Sequence, residues 1–430
     1  MPNEYEQMWK DLGLNLENHA ALLDVLGRVY ADVFLSQKGR PARTAYLDFV
    51  VSEVHGLRIR ELVEGRQRGR KVVGTYCTFV PEELVLAAGA TMVGLCAGAD
   101  FATEAVERIL PRNLCSLIKS TFGFKLGGVC PYLEASDMIV GENTCDGKKK
   151  AWEVFKDLVP NLYVMDLPQM KHAQGRELLM GEYMKFKAAL EALTGNRITT
   201  ASLAEAIGVV NAKRQAVHRL SALRAQDPAP ISGLDSLLVN QIFFYEDPAR
   251  FTAQIHELCD ELEARVRGAE GVAPAGTPRL LVAGCPMAVP NWKLPAIIET
   301  SGAVIVAEES CVGERGTRNL VANGGDSVED MVRHLVDRYL QIDCAIYTPN
   351  ASRLEHIREM AGRYRADGVI LYTLQFCTPY AMEAVGLEQA LEAQGVPVLR
   401  IETDYSQEDV GQLKTRIQAF IERIQDQECR

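Results

Sequence analysis

Residues 71–96, KVVGTYCTFVPEELVLAAGATMVGLC, carry a whole folding unit in one line. The apolar run that starts at Val72 stops at Cys77, which predicts a short strand. Pro81, Glu82 and Glu83 then open a helical pattern, because proline suits the first helical turn and acids complement its positive end. Gly89 stops that helix, and a second apolar run ends at Cys96. Short apolar strands separated by helices argue for a parallel sheet covered on both faces. Cys77 stands where serine or aspartate would cap the following helix better, so the thiol must have another use.

Working outward, SDMIVGENTC (136–145) reads as a further strand ending in Cys145. The same order of features returns later in the chain. RLLVAGCP ends near Cys285, WKLPAIIETSG is a helix stopped at Gly302, AVIVAEESC ends at Cys311, and GVILYTLQFC ends at Cys377. VPVLRIETD completes the strands, and VGQLKTRIQAFIERI is a closing amphipathic helix. The two blocks read as a duplicated unit. The expected fold is therefore α/β, with two flavodoxin/Rossmann-like parallel-sheet domains, an N-terminal helical region and helical insertions. The expected organisation is a helical region over 1–70, a first α/β domain over 71–170, a helical region over 171–267, a Gly/Ala/Pro-rich linker over 268–279 and a second α/β domain over 280–430. Ser202 with Glu205, and Asp326 with Glu329, have the spacing of helix caps.

With 430 residues, 47% of them hydrophobic, the chain has ample material for such cores. Asp and Glu number 57 against 46 Lys and Arg, and this net charge of −11 gives no footprint for nucleic acid. No apolar run reaches the ~20 residues of a spanning helix, and the opening MPNEYEQMWKDLGL is polar. These features predict a soluble, cytoplasmic protein whose partners are small molecules and proteins, with no nucleic acid and no membrane.

Eleven cysteines in such a chain are packing groups, reactive thiols or metal ligands rather than a disulfide framework. In open α/β sheets ligands gather beyond the carboxyl ends of the strands, and Cys77, Cys145, Cys285, Cys311 and Cys377 all read as lying there. Cys115, in LPRNLCSLIKS, reads as lying at a helix start, where the dipole favours a thiolate. No Cys-x-x-Cys pair of the zinc type occurs. Single thiolates contributed by two domains suit an iron–sulfur cluster in the cleft between lobes.

GTYCTFVPEELVLAAGA, LPRNLCSLIKSTFG, DMIVGENTCDGKKK, GCPMAVPNWKLPAIIETSGAVIVAEESCVG, DGVILYTLQFCTPY and IETDYSQEDVGQLKTRIQAFIE together resemble the 2-hydroxyacyl-CoA dehydratase and benzoyl-CoA reductase family of anaerobes. The resemblance spans roughly residues 70 to 425 and is greatest to its single-chain branch, the double-cubane cluster proteins. It implies a radical or low-potential reductase component. It also implies an [8Fe–9S] double cubane with six cysteine ligands, where a plain dehydratase subunit holds one [4Fe–4S] cubane through three. The extra cysteines in GCP and EESC favour the double cubane. Carried over by position, the six are Cys77, Cys115, Cys145, Cys285, Cys311 and Cys377. The apparent duplication would instead exchange Cys115 for Cys96, and Cys130 and Cys344 are reserves. Cys259 and Cys429 read as incidental.

The resemblance further implies a homodimer and a separate ATP-hydrolysing iron–sulfur activator that supplies electrons. GENTCDGKKK is no P-loop, having one residue too many between its glycines and Lys149 where serine or threonine is required. Glu82, Ser116 and Lys119 are candidate catalytic groups, and Tyr76 and Tyr380 flank ligand positions. The seven histidines form no His-x-x-x-His pair and read as surface or core residues. Three functions follow: an ATP-dependent low-potential reductase of a small molecule, a 2-hydroxyacyl-CoA dehydratase subunit (a hydro-lyase), or a non-catalytic electron carrier.

Overall fold

A computed structural model describes residues 4–428, leaving Cys429 outside the described residues. The first sheet contains β1 (Val72–Thr75), β2 (Thr91–Gly94), β3 (Met138–Glu142) and β4 (Leu162–Met165), in the order β2-β1-β3-β4. The second contains β5 (Arg279–Gly284), β6 (Val304–Glu309), β7 (Gly368–Leu374) and β8 (Val398–Thr403), in the order β6-β5-β7-β8. Every pairing is parallel, with Val73 opposite both Met92 and Met138, and Leu281 opposite Val369. The two sheets thus repeat one topology, as the duplicated sequence pattern anticipates.

β1, β5, β6 and β7 are buried along their whole length, because helices cover both faces. Alternation along each strand divides the apolar side chains between cores. Val72 and Ile139 of the first sheet share a central core with Val282 and Ile370 of the second. On the outer faces, Val73 and Val140 belong to one separate core and Leu281 and Val369 to another. Helices fill the N-terminal stretch up to Gln67 and the interval from Ala173 to Arg267, and residues 268–278 form neither helix nor strand. No helix among the described residues is long and apolar enough to cross a membrane.

Three local expectations need correction. β4 was not anticipated, because Met165 alone of its four residues is buried and a short edge strand leaves no apolar run to read. The capping box of the Thr200–Leu223 helix pairs Thr199 with Ser202, one turn before the Ser202/Glu205 reading. Similarly, Ser327 rather than Asp326 caps the Val328–Tyr339 helix, accepting from the Asp330 amide at 3.1 Å. Adjacent residues of capping type made both starts ambiguous by one position or one turn.

Candidate functional site

Nine of the ten described cysteines line a single cavity of about 530 Å³ between the two sheets. The exception, Cys259, is packed inside the Pro248–Arg267 helix with no solvent access. The order 2-1-3-4 places each sheet's switch point between its first and third strands, where crossovers leave to opposite sides and a crevice opens. Cys77 and Cys145 follow β1 and β3, and Cys285 and Cys377 follow β5 and β7. Both switch points face the same cavity. Cys96 and Cys311 follow the neighbouring strands β2 and β6, while Cys115 and Cys344 lie in the equivalent β2–β3 and β6–β7 crossovers.

Local backbone structure explains why these positions hold thiols. Cys115, Cys130, Cys145 and Cys377 each occupy the N-cap of a helix, and none uses its side chain as a cap. The sulfur is thereby left to the cavity, next to exposed helix amides. Cys285 follows Gly284, whose φ of +146° only glycine takes readily and where a side chain would strike the Tyr372 carbonyl. The Cys285 amide bonds Tyr372 O at 3.0 Å and its sulfur accepts from Leu374 N at 3.4 Å. Phe376, immediately before Cys377, has φ +64°, an outlier for a bulky residue, and is 47% exposed at the cavity rim.

The sulfurs form two groups. Cys115, Cys285 and Cys377 are in mutual side-chain contact through Cys377. Cys77, Cys311 and Cys344 interact with one another, Cys77, Cys96 and Cys145 gather around Lys148, and Cys96 is within electrostatic reach of Cys311. Each group therefore draws on both halves of the chain. Burial pushes the Cys77 thiol well up and lifts Cys96, Cys130 and Cys344 to about 11. Cys115 is raised first by its bond to Cys377 and then by burial, against the pull of the Leu117 and Ile118 amides. Such thiols ionise when a bound cation replaces the proton. No three His, Cys, Asp or Glu side chains among the described residues converge on one point as a single metal ion requires. The ligands of an iron–sulfur cluster bind different irons and so spread around a cavity rather than converge on one point, and the nine sulfurs here are spread in that way.

Charge enters at one place in the lining, through Asp146 and Lys148. Lys148 Nζ lies 3.7 Å from Glu142 Oε2 and 3.4 Å from Tyr76 O. Burial opposes its charge, but Glu142 and the thiols hold its pKa above the ordinary lysine value. Burial in turn raises the Glu142 carboxyl to about 7. In the second half, Arg315 donates to Glu309 at 2.6 Å, to the Tyr380 hydroxyl, and to Cys311 Sγ at 3.7 Å. Tyr76, Tyr132 and Tyr245 also line the cavity, but their hydroxyls are buried away from accessible space and have no hydrogen-bond partner among the described residues. His55 also lines the cavity and its Nδ1 meets His19 Nε2 at 2.9 Å; burial lowers these rings to about 3 and about 4, so both are neutral at pH 7.

All six cysteines expected as ligands line the cavity, as do Cys96, Cys130 and Cys344, and so do Tyr76 and Tyr380. The three candidate catalytic groups are not in its lining. Glu82 is buried in a two-oxygen pair with Lys213 at 2.8 Å, Lys119 faces Glu107 at 3.5 Å, and Ser116 opens its helix behind Cys115. Lys148, Arg315, Tyr132, Tyr245 and His55 were not picked out from the sequence. Lys148 and Arg315 carried a signal, lying three and four residues after a strand-end cysteine, one helical turn on.

Residues 77–424 match the family model described as "2-hydroxyglutaryl-CoA dehydratase, D-component". The chain is 40% identical to "Putative dehydratase subunit YjiM" of Escherichia coli K12 over 84% of this chain and 93% of that protein. It is 29% identical to the (R)-phenyllactyl-CoA dehydratase beta subunit of Clostridium sporogenes, covering 83% and 93%. To a benzoyl-CoA reductase subunit of Thauera aromatica it is 23% identical, covering 77% and 84%. The protein belongs to the 2-hydroxyglutaryl-CoA dehydratase D-component family.

Proposed function

We propose that the protein is the reductase component of an ATP-dependent, low-potential system that acts on a small molecule and holds an [8Fe–9S] double cubane between its two lobes. The observation that carries this reading is the pair of sulfur groups around one cavity, each drawn from both halves of the chain. Cys115, Cys285 and Cys377 would hold one cubane. Cys77, Cys145 and Cys311 would hold the other, with Cys344 as a neighbouring fourth sulfur that occupies in its sheet the crossover position of Cys115. The donor set fits the group: the sulfurs are soft ligands, Cys115, Cys145 and Cys377 stand at helix N-caps they do not use as caps, and the thiols raised by burial gain most from a cation.

Bound there, the cluster would supply one-electron transfers at low potential. The chain's own residues do the rest. Leu95, Phe244 and Leu374 line the cavity and keep water from the sulfurs. The sequence has no P-loop, so in this reading ATP is hydrolysed by a separate iron–sulfur activator. The working state is a homodimer in the cytoplasm, where thiols stay reduced.

Anaerobic reconstitution followed by iron and acid-labile sulfide analysis tests this directly. About eight irons per chain support the double cubane. About four would favour the second reading, a hydro-lyase subunit with one [4Fe–4S] cluster, which the names of the dehydratase relatives suggest. Full loading with reversible reduction but no turnover in the presence of an activator would instead mark an electron carrier.

A further inference from the structure

The two halves repeat one fold, yet they are charged differently around equivalent cysteines. Glu142 and Lys148 stand three residues before and after Cys145, whereas Leu374 and Tyr380 stand three residues before and after Cys377. Glu142 and Leu374 are the last residues of equivalent strands. A buried ion pair in one half thus corresponds to an apolar residue and a neutral phenol in the other. Lys148 Nζ donates to Tyr76 O at 3.4 Å, the same carbonyl that Cys96 Sγ meets at 3.0 Å, and Tyr76 directly precedes Cys77. Arg315, whose guanidinium has no solvent access and is paired with Glu309, also lies 3.7 Å from Cys311 Sγ. The influences on Cys115 and Cys377 are one another's thiols, Cys285, burial and backbone amides, with amides from Leu117 and Ile118 at Cys115 and from Leu374 at Cys285. The Cys115/Cys285/Cys377 group also lies beside the exposed rim, next to Phe376 and to Met382, which is 71% exposed.

We infer that the cavity is electrically polarised, and that Lys148 and Arg315 are positioning residues that make the Cys77/Cys311 end the place where an added electron is held. This rests on the iron–sulfur reading above. Each reduction adds one electron from an external one-electron donor, turns one ferric ion ferrous, and makes or breaks no bond. The extra negative charge is stabilised where buried positive charge is closest, since Coulomb interactions are strong away from water. An electron arriving at the rim beside Cys377 therefore runs inward to the Cys77/Cys311 end.

The test is an EPR-monitored redox titration of the reconstituted full-length protein at pH 8.5, with titanium(III) citrate as reductant. Lys148→Met is expected to move the first reduction to a more negative potential, and Glu142→Gln to a more positive one. Lys148→Arg, which keeps the charge, is expected to restore the wild-type value. A residue that merely supports the fold would not give shifts of opposite sign. Shifts of the same sign, or none, in variants that retain wild-type iron overturn the inference. If Lys148→Met loses iron, the Glu142→Gln and Lys148→Arg proteins decide by the same criterion. Wild-type protein that takes up no cluster would overturn the reductase reading and this inference together, an outcome distinct from a loaded protein with unshifted potentials.

Discussion

Glu309 has no solvent access and accepts from Arg315 at 2.6 Å and from Arg353 at 3.0 Å, so its charge is compensated entirely inside the protein. Removing one member of a buried ion network leaves the others unpaired, which costs about 3–5 kcal/mol. Glu309→Ala should lose that much in denaturant unfolding, and because it frees Arg315 from Cys311 it should also lower iron retention. Glu314 is a cleaner pH reporter, since no cysteine is among its partners. Burial works against its charge, but bonds from His356 and Tyr364 and the Arg363 cation hold its carboxyl down to about 2, against an ordinary 4.5. Its folded pKa is the lower one, so its contribution is complete above about pH 4.5 and is lost as pH falls through about 2. Unfolding free energies compared across that window should show a flatter acid limb in Glu314→Gln than in the wild type. At the site itself, Cys377→Ser should retain the fold and lose iron, because Cys377 bridges Cys115 and Cys285.

At the scale of elements, strand ends and helix starts do the positioning. Gly284 closes β5 at φ +146° beneath the Tyr372 carbonyl, and that turn sets Cys285 against β7. Gly284→Ala must push β5 and β7 apart, so iron uptake should fall even in whatever fraction folds, as read by iron content of the size-purified protein. Caps remote from the cavity are a useful contrast. Thr199→Ala removes the capping box of the long helix that packs against Glu82–Ala87, and should cost about 1 kcal/mol without changing iron content. That helix carries Lys213 and Arg214, which neutralise the buried Glu82 and Glu83. Glu82, the acid that looks catalytic beside Cys77, is therefore spent, with Glu83, on attaching the first sheet to the middle helices.

Over the whole molecule, ion pairs across the chain keep the sulfur groups assembled. Asp343, next to Cys344, receives Lys171 at 2.5 Å and Arg318 at 2.6 Å, tying the crossover of the second sheet to the segment that leaves the first. Asp343→Asn should speed amide exchange around Cys344 and weaken iron binding while leaving each sheet intact, which hydrogen exchange by mass spectrometry can resolve. The sequence by itself determined the parallel α/β character, the duplicated order of strand and thiol, and the placement of Cys77, Cys145, Cys285, Cys311 and Cys377 at strand ends. Those features are local: apolar runs, helix punctuation and the residue at which a run stops are written in neighbouring positions. It did not show β4, an edge strand with little to bury, or the exact helix starts at Thr199 and Ser327, where neighbouring residues compete to cap. Only the tertiary structure decided that Cys344 joins Cys77 and Cys311, that Glu82 faces Lys213 rather than the cavity, and that buried charge gathers at one end of it. Those outcomes depend on how two sheets and the helices between them pack, and contacts between residues far apart in the chain leave no spacing for a sequence to display.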